Sequence, residues 1–140
     1  MPGELQVLGR AVKQAQYRQH RALDGRLATV GTTLAQWDAL RAINRSPGAS
    51  ARSLAAATFQ SEQAFGTLAG RLVAQGLIER RPGHGRRIEH HLTPAGEQVL
   101  DAGHQVADEV LAACFSALSP GDRSTLLDLL GRLNDDGGGT

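Results

Sequence analysis

Four arginines surround a short run of turn-forming residues in the second half of the chain. Arg80 and Arg81 precede residues 82–85 (sequence PGHG), and Arg86 and Arg87 follow them. Proline and glycine at this spacing are typical of a tight turn, so the flanking segments are predicted to pair as a β-hairpin. Guanidinium groups bind phosphate oxygens through charged, bidentate hydrogen bonds, and arginines on a hairpin can also enter a narrow minor groove of DNA. A solvated, charged surface is the alternative use of such a cluster.

A second set of polar side chains lies on the helix that is predicted just before this hairpin. Phe65, Leu68 and Leu72 recur at three- and four-residue steps and define the buried side of that helix. At 100° per residue, the opposite face carries Gln63 and Thr67, whose side chains can hydrogen-bond to base edges in DNA. The other positions of this outward face are small residues: Gly66, Gly70 and Ala74.

These small residues make the outward face of the helix almost flat. Each glycine inside a helix costs about 1 kcal/mol relative to alanine, so the flatness reduces the stability of the helix. One interpretation is that a flat helix can lie deep in a DNA groove. The alternative is a locally weak helix with no special role.

The rest of the chain must supply the elements that hold this helix and hairpin in place. Helix-capping residues predict where helices begin, and in two cases the cap is followed by proline, which favours the first helical position. The caps are Thr33, Ser50, Ser61, Thr93 and Ser119. Together with a helix near the N-terminus, they predict a mainly α fold with a small β-hairpin wing. Two short helices followed by a basic hairpin are the parts of a winged helix-turn-helix lobe.

The outer helices carry apolar stripes that one small lobe cannot cover. Leu5, Leu8 and Val12 form such a stripe near the N-terminus, and Leu130 and Leu133 belong to another near the C-terminus. Exposed stripes of this kind seek a partner, so they predict a homodimer. We therefore divide the chain into an N-terminal dimerisation helix (1–31), a winged helix-turn-helix DNA-binding lobe (32–92), C-terminal dimerisation helices (93–135) and a disordered tail (136–140).

Composition narrows the functional classes further. The chain has 140 residues, 41% hydrophobic and 21% charged, with a formal net charge of +1, so any attraction to nucleic acid must come from where the charges lie. No apolar run approaches the roughly 18 residues that a membrane span needs, and no signal peptide is evident, so we expect a cytoplasmic protein. No catalytic Ser/His/Asp arrangement, phosphate-binding glycine loop or carboxylate pair is recognisable, so we expect no enzyme activity.

Four sequence blocks follow one another in a defined order: LAQWDAL at 34–40, SLA at 53–55, LVAQGLIER at 72–80 and LTPAG at 92–96. In order and spacing they closely resemble the multiple-antibiotic-resistance regulator (MarR) family, over nearly the whole chain. The resemblance implies a dimer held together by the first helix and the last two, with one winged lobe per subunit. It further implies a sequence-specific transcriptional regulator, of the repressor type, that binds a palindromic operator. In such regulators a small molecule, a metal or oxidation alters the grip on DNA.

The resemblance and the residue pattern together select a DNA-contacting set on the helix that carries Phe65 and Leu72 (the reading helix), at the cap of that helix and on the wing. Relative to the family, Glu62 stands where a basic residue is common and Gly70 where an acidic one is common. An ion pair usual in the family therefore cannot form at Gly70, and Arg80 could instead pair with an acidic neighbour inside the lobe. The predicted DNA-binding residues are Ser61, Gln63, Ala64, Gly66, Thr67, Arg71, Arg80, Arg81, His84, Arg86 and Arg87.

The resemblance also implies an effector site between the dimerisation helices and the lobe. Tyr17 and His20 on the first helix, and Trp37 and Arg41 on the second, lie in the matching segments. Arg41 could hold the carboxylate of a small anionic ligand. The alternatives are that Trp37 belongs to the core and that Arg41 pairs with a nearby acid.

No metal, cofactor or redox switch is expected. The histidines form no pair at metal-binding spacing on a helix, and His90 and His91 point to opposite sides of a strand. Cys114 lies on the apolar stripe of the long fifth helix, together with Val99, Val106 and Val110, and is therefore predicted to be buried. A buried thiol in apolar surroundings has a raised pKa and is inert.

Two other functions use the same fold. The first is a dimeric ligand- or protein-binding module with weak or non-specific DNA binding, which the sparse reading helix and the acidic Glu62 favour. The second is a non-specific architectural DNA-binding protein. Saturable binding to a palindromic site would separate the regulator from both, and competition by random DNA would identify the architectural protein.

Overall fold

The computed structural model describes residues 3–137, with side chains as far as Asp135. Within that range the chain forms six α-helices and one antiparallel two-stranded sheet, so the predicted mainly α fold with a hairpin wing is confirmed. No helix in this range is both long and apolar enough to cross a membrane. The elements are α1 (Glu4–Leu27), a 3-10 turn (Ala28–Val30), α2 (Leu34–Arg45), α3 (Ala51–Ala57), α4 (Glu62–Ala74), β1 (Ile78–Pro82), β2 (Ile88–Leu92), α5 (Pro94–Cys114) and α6 (Pro120–Gly137).

Side-chain caps begin all the helices after α1, as the sequence predicts. In each, the hydroxyl oxygen of the cap accepts a hydrogen bond from the backbone N–H three residues later, at 3.1–3.3 Å. A bond of this kind satisfies one of the N–H groups that the start of a helix leaves unpaired, and contributes about 1 kcal/mol. The capping residues are Thr33, Ser50, Ser61, Thr93 and Ser119.

The hydrophobic core lies where α2, α4, α5 and the hairpin meet. Its largest fully buried apolar side chains include Leu40, Phe65, Leu72 and Ile78. Trp37 is 2% exposed, and its indole N–H donates to the Leu100 carbonyl of α5 at 3.3 Å. The core therefore holds the reading helix and the base of the hairpin against the long helix α5.

Helix α5 packs closely on α2 because Gly103 has no side chain. A Cβ atom at this position would lie 2.3 Å from the indole nitrogen of Trp37. Buried residues on α5 recur as Leu100, Gly103, Ala107 and Val110. The missing side chain at Gly103 thus sets how near α5 can lie to the lobe.

The predicted apolar stripe of α5 is only partly correct. Val110 is buried as expected, but Val99 and Val106 are half-buried. The prediction that Cys114 is buried is wrong, since its side chain is exposed in the single chain. The buried stripe of α5 thus stops at Val110, and its next position, Cys114, is exposed.

The outer helices leave their apolar stripes uncovered in the single chain. Every residue from 4 to 18 is exposed, with Leu5 at 79%, and no residue of α6 as far as Asp135 is buried, with Leu127 at 71% exposure. Helix α6 continues to Gly137, two residues past the boundary we placed at 135. The rest of the predicted tail, 138–140, lies outside the described residues.

The contact at Gly103 predicts opposite effects for two glycine substitutions in helices. Gly103→Ala should lower the free energy of unfolding by about 3 kcal/mol, because the new Cβ overlaps the Trp37 indole. The matched control, Gly66→Ala, places its Cβ where nothing lies within 4 Å, and should raise the free energy of unfolding by up to about 1 kcal/mol. Urea denaturation of both variants checks this, and a neutral Gly103→Ala would contradict the packing described here.

Candidate nucleic-acid interface

The basic hairpin is held to the lobe by its second strand. In the middle of β2, the backbone of His90 pairs with the loop after α2. The Gly48 N–H donates to the His90 carbonyl at 2.9 Å, and the His90 N–H donates to the Ala49 carbonyl at 3.2 Å. This pair of bonds adds a short third backbone segment beside β2 and fixes the base of the wing.

The side chain of His90 continues this attachment into the core. It is 2% exposed, and its Nδ1–H donates to the Ala49 carbonyl at 2.9 Å. Its ring meets the ring of Phe65 edge to face, with centroids 6.0 Å apart. Phe65 lies on α4, so His90 connects the wing to the reading helix. Burial lowers the pKa of His90, and the hydrogen bond to Ala49 only partly opposes that shift.

The reading helix α4 presents the face that the sequence predicts. Phe65 and Leu72 are fully buried, while Gln63 and Thr67 are exposed. Leu68 is only half-buried, and Ala69 takes its place in the core. The Thr67 hydroxyl donates to the Gln63 carbonyl at 3.2 Å, which leaves the Gln63 amide as the polar group on this face with no bond to the described protein.

The two glycines of this face have open space in front of them. A Cβ atom built at Gly66 or at Gly70 would find no heavy atom within 4 Å. Neither glycine is therefore required for packing inside the chain. The flat surface is available to a molecule outside it.

The wing arginines differ in how their charges are compensated. Arg81 forms an ion pair with Glu79, and Arg87 donates to the Gly48 carbonyl at 3.0 Å. Arg86 is exposed and makes no hydrogen bond or ion pair among the described residues. Among the four wing arginines, Arg86 is thus the one that can meet an external phosphate without breaking a bond to the described residues.

Arg80 forms a bridge from the wing to the reading helix. Its guanidinium donates to the Gly66 carbonyl at 3.2 Å. The alternative that Arg80 pairs with an acidic neighbour is wrong, since among the described ion pairs none includes it. A carbonyl does not neutralise a guanidinium, so the positive charge remains at the junction of α4 and the hairpin.

An acidic group also lies within the wing. Glu89 of β2 lies 3.0 Å from the Nε2 atom of His91. The hydrogen bond from His91 is the main cause that holds the pKa of Glu89 below its usual 4.5, with smaller contributions from Arg87 and Arg81. The net positive charge that the wing offers is therefore smaller than its four arginines suggest.

The other predicted DNA contacts are all exposed. Ser61 is occupied as the cap of α4, His84 lies at the hairpin turn, and Arg71 lies in the last turn of α4. Ala64 is exposed in the first turn of that helix. The structure thus brings the predicted set to one helix and one hairpin that are joined through Arg80, and their contact with DNA stays a prediction.

Three of the four predicted effector residues already have partners inside the chain. The Arg41 guanidinium lies 4.4 Å from the centroid of the Trp37 ring and 3.4 Å from Asp38, so the expected pairing with an acid is confirmed. Burial raises the pKa of Asp38, against the opposing effect of Arg41. Tyr17 is exposed and accepts a hydrogen bond from Arg21 at 3.3 Å, and His20 is exposed nearby on α1. Their role in ligand binding stays a prediction.

A cavity of about 700 Å³ lies elsewhere, between α1 and α5. Arg18 and Cys114 line it, as do Arg26 and Glu109, which form an ion pair at 2.6 Å. None of the four predicted effector residues lines this cavity. Within the described part of the chain, no group of three or more histidine, cysteine or acidic side chains is placed to hold a metal ion.

The sequence interpretation missed Phe59, in the turn between α3 and α4. This side chain is 98% exposed, and its backbone φ of 58° lies in the left-handed region that favours glycine. The available signal was the absence of any glycine or asparagine between the end of α3 and the cap of α4. A turn there had to place an ordinary residue in an unusual conformation.

Comparisons with known proteins agree on one family. A family model described as MarR family matches residues 30–88. A probable transcriptional regulator from Pseudomonas aeruginosa is 30% identical, with a TM-score of 0.81 over 89% of this chain and 95% of that one. A search of curated proteins finds no match.

Two further solved structures share the fold at lower identity. A MarR mutant from E. coli, complexed with operator DNA, is 23% identical with a TM-score of 0.86, over 93% of this chain and 95% of that one. BpsR from Bordetella bronchiseptica, whose DNA binding is regulated by 6-hydroxynicotinic acid, is 21% identical with a TM-score of 0.84, over 91% and 98%.

The buried imidazole of His90 predicts an acid-sensitive fold. Its pKa in the folded chain lies below the usual 6.5, so between these two values the unfolded chain binds more protons. The free energy of unfolding should therefore decrease as the pH falls through 6.5, and this decrease should end below the folded pKa. Urea denaturation at a series of pH values measures it.

The matched control is His90→Asn, whose side-chain amide can still donate to the Ala49 carbonyl but does not titrate. This variant should lose the part of the pH dependence that begins at 6.5. The dependence caused by Glu89 begins only as the pH falls toward 4.5, so the part that begins at 6.5 is not caused by Glu89. An unchanged pH profile in His90→Asn would assign the effect to another group.

Proposed function

Since the chain belongs to the MarR family, we propose that it is a transcriptional repressor that binds a palindromic DNA operator as a homodimer and responds to a small ligand. The observation that carries the proposal is the bond from Arg80 of the wing to the Gly66 carbonyl of α4. Through it the reading helix and the basic hairpin form one positively charged surface. The alternatives of a solvated charge cluster and a weak helix do not account for this connection.

The two parts of this surface have different tasks on DNA. Helix α4 enters the major groove, about 12 Å wide, where the amide of Gln63 can pair with the edge of an adenine. Gly66 and Gly70 allow the helix backbone to approach the bases, because neither residue has a side chain that would stand between the backbone and a base. The wing lies along the adjacent backbone, where Arg86 meets phosphate oxygens.

The uncovered helices support the homodimer. A helix with no buried residue gains little stability from packing, and α6 is in this condition as far as Asp135 in the single chain. A second copy that covers α1 and α6 would bury Leu5, Leu127 and their neighbours. A two-fold dimer then presents two reading helices to half-sites roughly 34 Å apart, one helical turn of DNA.

A small anionic aromatic ligand is the effector class that the residues support best. The Arg41 guanidinium lies over the Trp37 ring at 4.4 Å and is only weakly held by Asp38 at 3.4 Å, so it can turn to a carboxylate. The regulation of BpsR by 6-hydroxynicotinic acid is a precedent for this chemistry on the same fold. Tyr17 and His20 on α1 complete the proposed site.

Selection of bound sequences from a random DNA pool tests the proposal. A repressor of this type should select one palindrome with half-sites a helical turn apart, and should bind it far better than random DNA. Equal binding to selected and random DNA would identify a non-specific architectural protein. No saturable DNA binding at all would favour the ligand- or protein-binding module, for which the acidic Glu62 in the first turn of α4 is the supporting observation.

The free charge on the wing predicts how two arginine variants should differ. Arg86→Ala should weaken binding to all DNA sequences alike and reduce the slope of log affinity against log salt concentration by about 1, because one phosphate contact is lost. Arg81→Ala is the matched control, and should have a smaller effect because the Arg81 guanidinium is already paired with Glu79. Binding titrations at several salt concentrations measure both, and equal slopes for Arg86→Ala and the parent chain would contradict the contact.

A further inference from the structure

The backbone around Phe59 is held by an ordered helix end rather than left loose. The Gln60 N–H donates to the Ala55 carbonyl at 2.9 Å, and the Phe59 N–H donates to the Ala56 carbonyl at 3.3 Å. These two bonds are the Schellman motif, which places the residue after the helix cap in the left-handed conformation. The Thr58 hydroxyl adds a bond to the Leu54 carbonyl at 2.8 Å.

Phe59 is an unfavourable residue for this position in the free chain. Glycine is the usual occupant, because a side chain in the left-handed region is strained. The ring is also 98% exposed, so it gains nothing from burial that would offset the strain. Phe59 thus combines a strained backbone with an apolar ring that is exposed to water, and its backbone is rigidly held. Burial of the ring in a complex explains this combination most simply.

The surroundings of Phe59 favour nucleic acid as the occupant. Between Asp38 and Glu62 the sequence contains Arg41, Arg45 and Arg52 and no acidic residue, so basic residues outnumber acidic ones around Phe59 along the chain. Phe59 lies two residues before Ser61, the cap of the reading helix, within roughly 7 Å of chain. Its neighbours in sequence are small or polar. The surface area of one ring is far smaller than the roughly 800 Å² that each partner of a stable protein complex buries, which disfavours a protein as the occupant.

We propose that the ring of Phe59 contacts the C5 methyl group of a thymine in the operator, at the edge of the major groove that α4 enters. This inference rests on the proposed function, because it requires that the chain bind DNA through α4. Phenylalanine is one of the residues suited to the thymine methyl, the apolar group that the major groove presents. The turn already fixes the backbone, so only the rotation of the ring has to be restricted when it binds.

The test uses the operator selected with the parent chain and the full-length variant Phe59→Gly. Glycine suits the left-handed turn, so the variant should be at least as stable as the parent chain to thermal unfolding, yet should bind the operator about tenfold more weakly. Replacing each thymine of the operator in turn by uracil removes only its methyl group. One such position per half-site should weaken binding by the parent chain and leave binding by Phe59→Gly unchanged.

The results of this test separate a failure of the thymine contact from a failure of the proposed function. The parent chain must first bind its selected operator, and failure there would remove the proposed function itself. If the parent binds and Phe59→Gly binds equally well, or if no uracil position distinguishes the two proteins, the contact is absent. A changed oligomeric state of Phe59→Gly in sedimentation would assign the ring to a protein interface instead. Phe59→Asn, which also tolerates the left-handed conformation, should reproduce the weakened binding.

Discussion

The position of the wing depends on His90. Its backbone is bonded to Gly48 and Ala49, its imidazole donates to the Ala49 carbonyl, and its ring meets Phe65 of the reading helix. The loop after α2, the hairpin and α4 are therefore fixed to one another through a single buried residue. A polar group in that place is stable because its donor is satisfied, and it is neutral because burial disfavours the charged form.

The positive charge near His90 depends on where individual arginines and acids lie, and not on a high net charge of the chain. The chain has a net charge of only +1, and Glu79 and Glu89 lie beside the wing arginines. Arg80 and Arg87 are bonded to backbone carbonyls rather than to acids, and Arg86 is bonded to nothing in the described protein. A modest total charge can thus leave local positive charge on the wing, which is what positions a protein on a phosphate backbone.

The sequence predicted the elements well because their signals are local. Hydroxyl caps, the PGHG turn and the inward stripe at Phe65 and Leu72 act over a few residues, and the structure has each of them. The burial of Cys114 was mispredicted because a periodic stripe does not show how far the covering elements extend. The partner of Arg80 and the exposure of Phe59 also depend on tertiary placement, which composition and spacing do not contain.

The open space in front of Gly66 and Gly70 allows the outer surface of α4 to change independently of the packing on its buried side. Positions on α4 that touch the core, such as Phe65, can change only at the expense of the fold, whereas a Cβ at either glycine would meet no atom of the described residues within 4 Å. Side chains can therefore be added there without disturbing the architecture. The surface is open to acquiring new base preferences by single substitutions, so related regulators on this scaffold can diverge in target while their interiors stay the same.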